Sequence, residues 1–183
     1  MRTIIPQEKN PMLREQARAI PISEITNKPI QSLISDMKKL LAAEKNGVAI
    51  AASQVGEPLQ LFIVSGRALS ERDADEKKLE HVTPAIPDQI YINPVITKVS
   101  RAKKEKHEGC LSIRGIWGMV PRAEKVTVRA YDEHGKAFTR GASGFLAHIF
   151  QHEMDHLNAI LYTDKATRLY NDDEKDGQSE DDE

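Results

Sequence analysis

Apolar residues recur along this chain with two different periods. From Thr26 to Glu44 they fall at i, i+3, i+4 and i+7 spacing, which predicts an amphipathic helix stopped by Asn46-Gly47. A second helix is predicted from about Ser143 to Asn158, where apolar residues cover most of the surface, as in a helix buried in a core. In the sequence, these two helices lie before and after the segments that favour strands.

The segments between the two helices are short and rich in β-forming residues. Leu59–Val64 is predicted to be a strand, and Tyr91–Ile96 a short strand broken at Pro94. Val126–Ala130 alternates apolar and polar residues, which predicts a half-buried strand that pairs back with Phe138–Arg140 as a hairpin. The order of helix, strands and helix favours an α+β fold with largely antiparallel sheets.

The length of 183 residues is sufficient for one domain with its own core. No stretch approaches the roughly 18 continuous apolar residues of a transmembrane helix, and the N-terminal residues lack the apolar segment of a secretory signal. We therefore expect a cytoplasmic protein with no membrane partner. The polar stretch 66–89 is expected to be a long surface loop, or a short helix within such a loop.

Charge is distributed unevenly along the chain, although the formal net charge is only −2. Residues 171–183 carry eight acids and one lysine, whereas residues 1–170 carry 25 basic against 20 acidic residues. This contrast predicts a domain over residues 1–170 and an acidic, disordered tail over residues 171–183. A body with this modest positive charge gives no reason to expect a specific nucleic-acid partner.

One motif on the second predicted helix has the spacing of a metal site. His152 and His156 are four residues apart, so both imidazoles lie on one face and can reach one metal ion at about 2.0–2.1 Å. Glu153 is one step round the helix, where it can take a proton from metal-activated water. The alternative is an exposed helix that carries two histidines by chance, which the surrounding apolar residues disfavour.

The third metal ligand is expected upstream, because no histidine follows His156 and the later acids lie mostly in the tail. Cys110 is the leading candidate, since a thiolate suits zinc or iron(II). A buried structural cysteine is the alternative. His148 is expected to line a pocket or to lie in the core, and the remaining histidines are expected to be exposed to solvent, namely His81, His107 and His134.

Three segments together resemble the peptide deformylase family: Gly47–Gly56 (GVAIAASQVG), Glu108–Ser112 (EGCLS) and Gln151–His156 (QHEMDH). They occur in the family's order and at similar separations, and Val120–Val126 is also similar. The resemblance covers most of residues 5–165. It implies antiparallel sheets packed around a central C-terminal helix that carries the His-Glu-x-x-His motif.

The resemblance also implies an activity, which is removal of the formyl group from the N-terminal formylmethionine of newly made polypeptides. It implies one divalent metal ion held by Cys110, His152 and His156, usually iron(II), with zinc, nickel or cobalt as alternatives. N-formylmethionyl nascent peptides would be the substrates, and transient association with the ribosome is expected. Glu153 would be the general acid/base, and Gln54 and the backbone N–H of Leu111 would stabilise the oxyanion.

The expected substrate contacts follow from the same resemblance. The backbone of Gly47, Val48 and Ala49 would pair with an extended substrate. The methionine side chain would enter an apolar pocket lined by Val48, Phe145, His148 and Ile149. Glu108 and Arg122 would lie near this pocket and the substrate's downstream backbone, with a solvent-exposed arginine at a strand end as the alternative for Arg122.

This sequence departs from the family's usual pattern at several positions around the expected pocket. His148 and Lys106 stand where apolar residues are common, and Ala49 replaces a glycine. None of these departures removes an expected metal ligand, the acid/base or Gln54. They affect the expected shape of the pocket and the substrate preference, not the type of reaction.

Two further classes of function are compatible with the metal motif. One is a metallopeptidase or amidase that uses the same metal core on another bond, and the other is a binding module that has no catalytic role. Glu153 argues against the binding module, because holding a metal does not require that residue.

Overall fold

Two long helices and two antiparallel sheets account for most of the ordered elements in this computed structural model, which describes residues 2–70 and 86–171. The helices are α1 (Lys28–Ala43), α2 (Gly66–Ser70) and α3 (Gly144–Leu157). The strands are β1 (Ala49–Ala51), β2 (Leu61–Val64), β3 (Gln89–Val99), β4 (Lys103–Cys110), β5 (Ile113–Ala123), β6 (Lys125–Tyr131), β7 (Ala137–Ser143) and β8 (Arg168–Asn171). None of the helices in these ranges is both long and apolar enough to span a membrane.

The larger sheet has five strands in the order β1-β2-β3-β6-β7, and every neighbouring pair is antiparallel. Successive side chains of a strand point to opposite faces, so each face of this sheet can contribute to a different core. In β2, Leu61 and Ile63 pack with α1, whereas Phe62 and Val64 belong to the cluster that contains α3. The sheet is therefore covered by one long helix on each face.

The predicted periodicity of both long helices is confirmed. The buried residues of α1 form a single stripe, namely Leu33, Ile34, Met37 and Leu41. Helix α3 is buried on more of its surface, because it contacts strands of the large sheet and also β5 of the smaller sheet. This central position confirms the expected α+β architecture around the helix that carries the His-Glu-x-x-His motif.

The smaller sheet, in the order β4-β5-β8, was not predicted from the sequence. Strand β4 is mostly lysine and glutamate, and its first residues are exposed, so it lacks the apolar alternation that identifies a half-buried strand. Its pairing with the long strand β5 stabilises it instead. Asn171, which the charge pattern assigned to the tail, belongs to β8 and pairs with Ile116 of β5. Residues 172–183 lie outside the described residues.

Strand β3 is longer than predicted and does not end at Pro94. The pairing register with β6 shifts between Ile92 and Val95, where Asn93 adopts a positive φ of 48°. The Asn93 side chain accepts a hydrogen bond from the Ile20 N–H and donates one to the Ile20 carbonyl. A bulge thus accommodates the proline, which cannot donate to the ladder, without ending the strand.

The C-terminal end of α3 is closed by the backbone. The N–H of Ile160 bonds to the carbonyl of Asp155, and the N–H of Ala159 bonds to that of His156. This pair of bonds defines a Schellman motif, in which the residue after the cap takes a left-handed conformation that favours glycine. Here that residue is Ala159, with a φ of 60°.

Candidate metal centre and cavity

Three side chains with metal-binding atoms meet beside the C-terminal half of α3. The ligand atoms of Cys110, His152 and His156 all lie within 4.8 Å of one another, and Cys110 Sγ is 3.4 Å from His156 Nε2. Tetrahedral coordination by one thiolate and two imidazoles, with bonds of about 2.0–2.3 Å, requires separations of this size. The donor set and its spacing therefore fit one divalent transition-metal ion.

Cys110 reaches this point because β4 is irregular where it ends. The pairing with β5 shifts between Glu108 and Cys110, immediately before the tight connection to Ile113. Gly109 packs so closely on the Trp117 ring that a Cβ atom would lie 2.9 Å from a ring carbon. A glycine is thus required before Cys110, because a side chain at position 109 would collide with the Trp117 ring.

A buried chain of charged side chains holds one of the histidines. Arg122 donates two hydrogen bonds to Glu108, at 2.7 and 2.8 Å, and a third to Asp155. Glu108 Oε2 is also 3.0 Å from His152 Nδ1, and Lys165 donates to the second oxygen of Asp155. A carboxylate on Nδ1 leaves Nε2 of His152 to face the ligand cluster, which is the usual support for a metal-binding histidine.

The electrostatics of Glu108 agree with this supporting role. Burial alone would raise its pKa, but the hydrogen bonds from Arg122 and His152 outweigh burial and lower the pKa to about 2. Glu108 is therefore a stable anion at neutral pH. Its negative charge fixes the orientation of the His152 ring.

The structure corrects the expectations for Arg122. The side chain is only 3% exposed, so it is not a solvent-exposed arginine at a strand end. Nor does it line the cavity, because its guanidinium is held between Glu108 and Asp155 behind the cavity wall. The expected contact with the substrate's downstream backbone stays a prediction. In this structure Arg122 is linked to the site through the carboxylates that it binds.

Asp155 is a site residue that sequence reasoning missed. It lies between the two histidines of the motif and is buried against Arg122 and Lys165. A signal was present in the sequence, because a carboxylate on a helix predicted to be buried needs a cationic partner. The sequence alone does not identify that partner, because Arg122 lies 33 positions away.

Glu153 lies beside the ligand cluster with its carboxyl group buried. Its Oε2 atom has no hydrogen-bond partner among the described residues. Burial raises the pKa of Glu153 to about 7, against the opposing effect of positive charge on His152. A carboxyl group that titrates near neutrality can both accept and donate a proton.

Gln54 faces the same cluster from the turn that follows β1. Its Oε1 accepts a hydrogen bond from the Ala51 N–H at 2.9 Å, which orients the amide. Its Nε2 lies 3.3 Å from Cys110 Sγ and 3.4 Å from Ser112 Oγ. The amide donor of Gln54 therefore points at the ligand cluster, as a donor to a developing oxyanion must.

A cavity of about 610 Å³ opens in front of these residues. Most of the expected site residues line it, namely Gly47, Val48, Ala49, Gln54, Glu108, Cys110, Leu111, Phe145, His148, Ile149, His152 and Glu153. His156 lies behind the wall and is almost fully buried. Sequence reasoning did not identify Trp117 or the first residues of β5 as part of the cavity, because it did not predict that strand.

The other histidines lie apart from the ligand cluster. His148 is 4% exposed and lines the cavity, which agrees with the expected pocket or core position. His107 and His134 are exposed, as predicted, although His107 also contacts the Tyr170 hydroxyl. His81 lies outside the described residues.

Comparison with known proteins agrees with these observations. The family model described as polypeptide deformylase matches residues 2–172. Peptide deformylase from Chloroflexus aurantiacus is 39% identical over 163 residues, which cover 88% of this chain and 84% of the relative. Peptide deformylase 2 from Ralstonia nicotianae is 38% identical over 144 residues, covering 79% of this chain and 76% of the relative.

Solved structures show the same arrangement of the backbone. A peptide deformylase from Legionella pneumophila superposes with a TM-score of 0.74 at 33% identity, covering 91% of this chain and 86% of that one. A class I type b peptide deformylase from Acinetobacter baumannii, with Met-Ala-Ser bound, gives a TM-score of 0.76 at 28% identity. That match covers 90% of this chain and 98% of the other.

Proposed function

This chain belongs to the polypeptide deformylase family and is a hydrolase of that class, and we propose that it removes the formyl group from the N-terminal formylmethionine of newly made polypeptides. The observation that carries the proposal is the meeting of Cys110, His152 and His156 at one end of a cavity, with Glu153 and Gln54 facing the same point. The cytoplasm is the proposed location, with transient association with the ribosome.

Cys110, His152 and His156 would hold the metal. When bound, a divalent ion lowers the pKa of water towards neutrality and polarises a carbonyl group. We propose iron(II) as the native ion, with zinc, nickel and cobalt as alternatives, because one thiolate and two imidazoles suit each of them.

Glu153 is the proposed acid and base of the reaction. Its buried carboxylate accepts a proton from the attacking water and then donates it to the amine that leaves as the formyl carbon–nitrogen bond breaks. The raised pKa, about 7, keeps the driving force for both transfers small at neutral pH. Its unbonded Oε2 is available for this exchange.

Gln54 and the backbone N–H of Leu111 are the proposed donors to the oxyanion that forms on the formyl group. The Gln54 amide is already oriented by Ala51, so no rearrangement is needed when the negative charge develops. Leu111 follows Cys110 in the connection between β4 and β5 and lines the cavity. Both donors therefore lie beside Cys110, since Leu111 follows it in the chain and Gln54 Nε2 is 3.3 Å from its Sγ.

The sheet offers an edge for the substrate backbone. Strand β1 is the terminal strand of the five-stranded sheet, and Gly47, Val48 and Ala49 line the cavity at its start. An extended peptide can pair with such an edge through main-chain hydrogen bonds that do not depend on its sequence. This mode of binding suits an enzyme that must act on many different polypeptides.

The test is formyl release from a formyl-Met-Ala-Ser peptide under anaerobic conditions, with metal analysis of the same sample. Oxygen is excluded because an iron–thiolate site can be lost by oxidation of Cys110. We expect turnover that requires one metal ion per chain. Cleavage of internal peptide bonds without formyl release would contradict the proposal and support a metallopeptidase instead.

Glu153→Gln separates catalysis from metal binding, because it preserves the shape of the side chain and removes the base. We expect kcat to fall by about a thousandfold or more while the metal content and fold are retained. The matched control is Glu24→Gln, an exposed carboxylate that lines neither cavity, which should leave kcat unchanged. A metal-loaded Glu153→Gln variant with normal turnover would refute the assigned role.

A further inference from the structure

Two basic side chains stand in the wall of the pocket proposed for the first side chain of the substrate. Lys106 on β4 and His148 on α3 both line the 610 Å³ cavity, next to the apolar residues Val48, Phe145 and Ile149. The same two side chains also line a second cavity, of about 270 Å³. Lys106 and His148 therefore give a polar wall to the part of the first cavity that adjoins the second one.

The imidazole of His148 is buried without a full set of hydrogen bonds. Its Nδ1 has no hydrogen-bond partner among the described residues, and the nearest carboxylate oxygen, on Glu108, is 3.8 Å away. Glu108 is already bonded to Arg122 and His152. A buried polar ring that lacks a partner penalises an apolar ligand beside it and favours a ligand with a complementary polar atom.

Several cationic side chains lie near His148. Lys104 and Lys106 of β4 lie on one side, and Lys125 lines the second cavity together with the N-terminal end of α3. Among the described residues that line the second cavity, the acid is Glu124, while Glu108 is bonded to Arg122. The ammonium groups that line these cavities can each attract an electronegative atom at the end of a bound side chain.

We propose that this pocket selects a first side chain of about methionine's length that ends in a hydrogen-bond-accepting oxygen, in preference to a purely apolar one. Lys106 and His148 are the specificity-determining residues, and methionine sulfoxide and glutamate are representatives of the favoured class. The inference rests on the proposed function, because it assigns this part of the cavity to the substrate's first side chain.

The experiment compares kcat/KM for four formyl-Xaa-Ala-Ser peptides on the metal-loaded enzyme, where Xaa is norleucine, methionine, methionine sulfoxide or glutamate. We expect the sulfoxide and glutamate peptides to exceed the norleucine peptide by about tenfold or more, the effect of one hydrogen bond to a charged group. A gain for both indicates recognition through hydrogen bonding, and a gain for glutamate alone indicates recognition through charge. A norleucine peptide cleaved as well as the oxygen-bearing peptides, or better, overturns the inference.

Variants identify the residues responsible. His148→Ile and Lys106→Ile, each made singly, should abolish the preference and raise kcat/KM for the norleucine peptide. Lys103→Ile is the matched control, because Lys103 is an exposed residue of β4 that lines neither cavity, and it should leave the preference unchanged. An unchanged preference in both the His148 and Lys106 variants overturns their assigned role.

A binding measurement separates this inference from the proposed function. Trp117 is the only tryptophan in the chain and lines the cavity, so its fluorescence reports on occupancy. Deformylated peptides with methionine sulfoxide or glutamate at the first position should bind to the metal-loaded enzyme about tenfold more tightly than the norleucine peptide. If no formyl peptide is hydrolysed, the proposed function fails, and the order of peptide affinities still decides the inference.

Discussion

Helix α3 has two sides that differ in how their buried polar groups are bonded. On the side that meets the smaller sheet, Asp155 and His152 are tied to Arg122 and Glu108, and both carboxylates accept hydrogen bonds on both oxygens. On the side that meets the cavity, Glu153 Oε2 and His148 Nδ1 have no hydrogen-bond partner among the described residues, and the same holds for Nδ1 of His156 behind the cavity wall.

The difference separates groups that hold the site from groups that act in it. Buried polar atoms in native proteins are nearly all hydrogen-bonded, so an exception calls for an explanation. A fully bonded network positions side chains rigidly, whereas an unbonded atom at a cavity is available to a ligand or a reacting proton. Variants on the two sides should therefore affect different properties, namely stability on the first side and catalysis or ligand preference on the second.

The largest effect is expected on the bonded side. Arg122→Met would leave the carboxylates of Glu108 and Asp155 buried without their main cation, which costs about 3–5 kcal/mol of unfolding free energy. Urea denaturation of the metal-loaded protein measures this cost. Arg129→Met, at an exposed position on β6, is the control and should change stability by less than about 0.5 kcal/mol. A similar small change in Arg122→Met would contradict the assigned role of the network.

On the cavity side, Gln54→Glu tests the oxyanion donor. The substitution keeps an oxygen that can accept from the Ala51 N–H but replaces the amide donor with a second oxygen. We expect kcat to fall by about 10²–10³-fold, or roughly 2.7–4 kcal/mol. Steady-state kinetics with matched metal content measure this, and Gln60→Glu, which is remote from the cavity, is the control. A fall in kcat of less than tenfold would exclude Gln54 as a main donor.

The buried imidazole of His148 should make the unfolding free energy depend on pH. Burial lowers its pKa from 6.5 to about 4; the Glu108 carboxylate opposes the shift, and Lys106, Arg122 and Lys104 add to it. Between these values the unfolded chain binds a proton that the folded chain does not, so stability falls as the pH decreases from about 6.5 to 4. The loss attributable to His148 is at most about 3 kcal/mol.

The pH dependence is isolated by comparing unfolding free energies of the wild type and His148→Leu, in the same metal state, across this range. Acid-sensitive metal binding affects both proteins alike, so the difference between them reports on His148. The wild type should lose stability relative to the variant as the pH falls. Parallel pH profiles would show that His148 is not held neutral by the fold.

The smallest effect is expected where α3 ends. Ala159 adopts a left-handed conformation at the glycine position of the Schellman motif, which is strained for a residue with a Cβ atom. Ala159→Gly should therefore raise the unfolding free energy by about 1 kcal/mol, while Ala159→Val should lower it. Thermal denaturation should show opposite shifts of a few degrees, and shifts of the same sign in both variants would contradict this account.

The sequence predicts the two long helices well because their signal is local. The apolar stripe of α1 and the buried surface of α3 repeat every three to four residues, and both helices were expected within a few residues of their observed bounds. Strands β4 and β5 carry no comparable local signal. Strand β4 is mostly charged, and the apolar residues of β5 are interrupted by glycine, arginine and proline. The two strands are stabilised by pairing with each other, and β5 also packs against α3.

The candidate site likewise contains residues that a local sequence signal identifies and residues that it does not. His152, Glu153 and His156 could be identified from their spacing on one helix, and Cys110 from the short segment around it. The position of Arg122 could not, because its partners Glu108 and Asp155 lie 14 and 33 residues away and meet only when the smaller sheet packs on α3. Contacts of this kind are a property of the tertiary structure, so the short motifs do not reveal them.

The chain of ion pairs through Glu108, Arg122, Asp155 and Lys165, in which only Lys165 is exposed, also limits how this protein can evolve. Arg122 and Asp155 each bond to two residues of this chain. Replacing either of them alone therefore leaves its partners without the opposite charge that they bind. Tolerated changes should therefore come as pairs, and the effect of one substitution should depend strongly on which residue occupies the other position. Asp155 occupies one of the two variable positions of the His-Glu-x-x-His motif. Its bonds to Arg122 and Lys165 should nevertheless limit which residues can replace it.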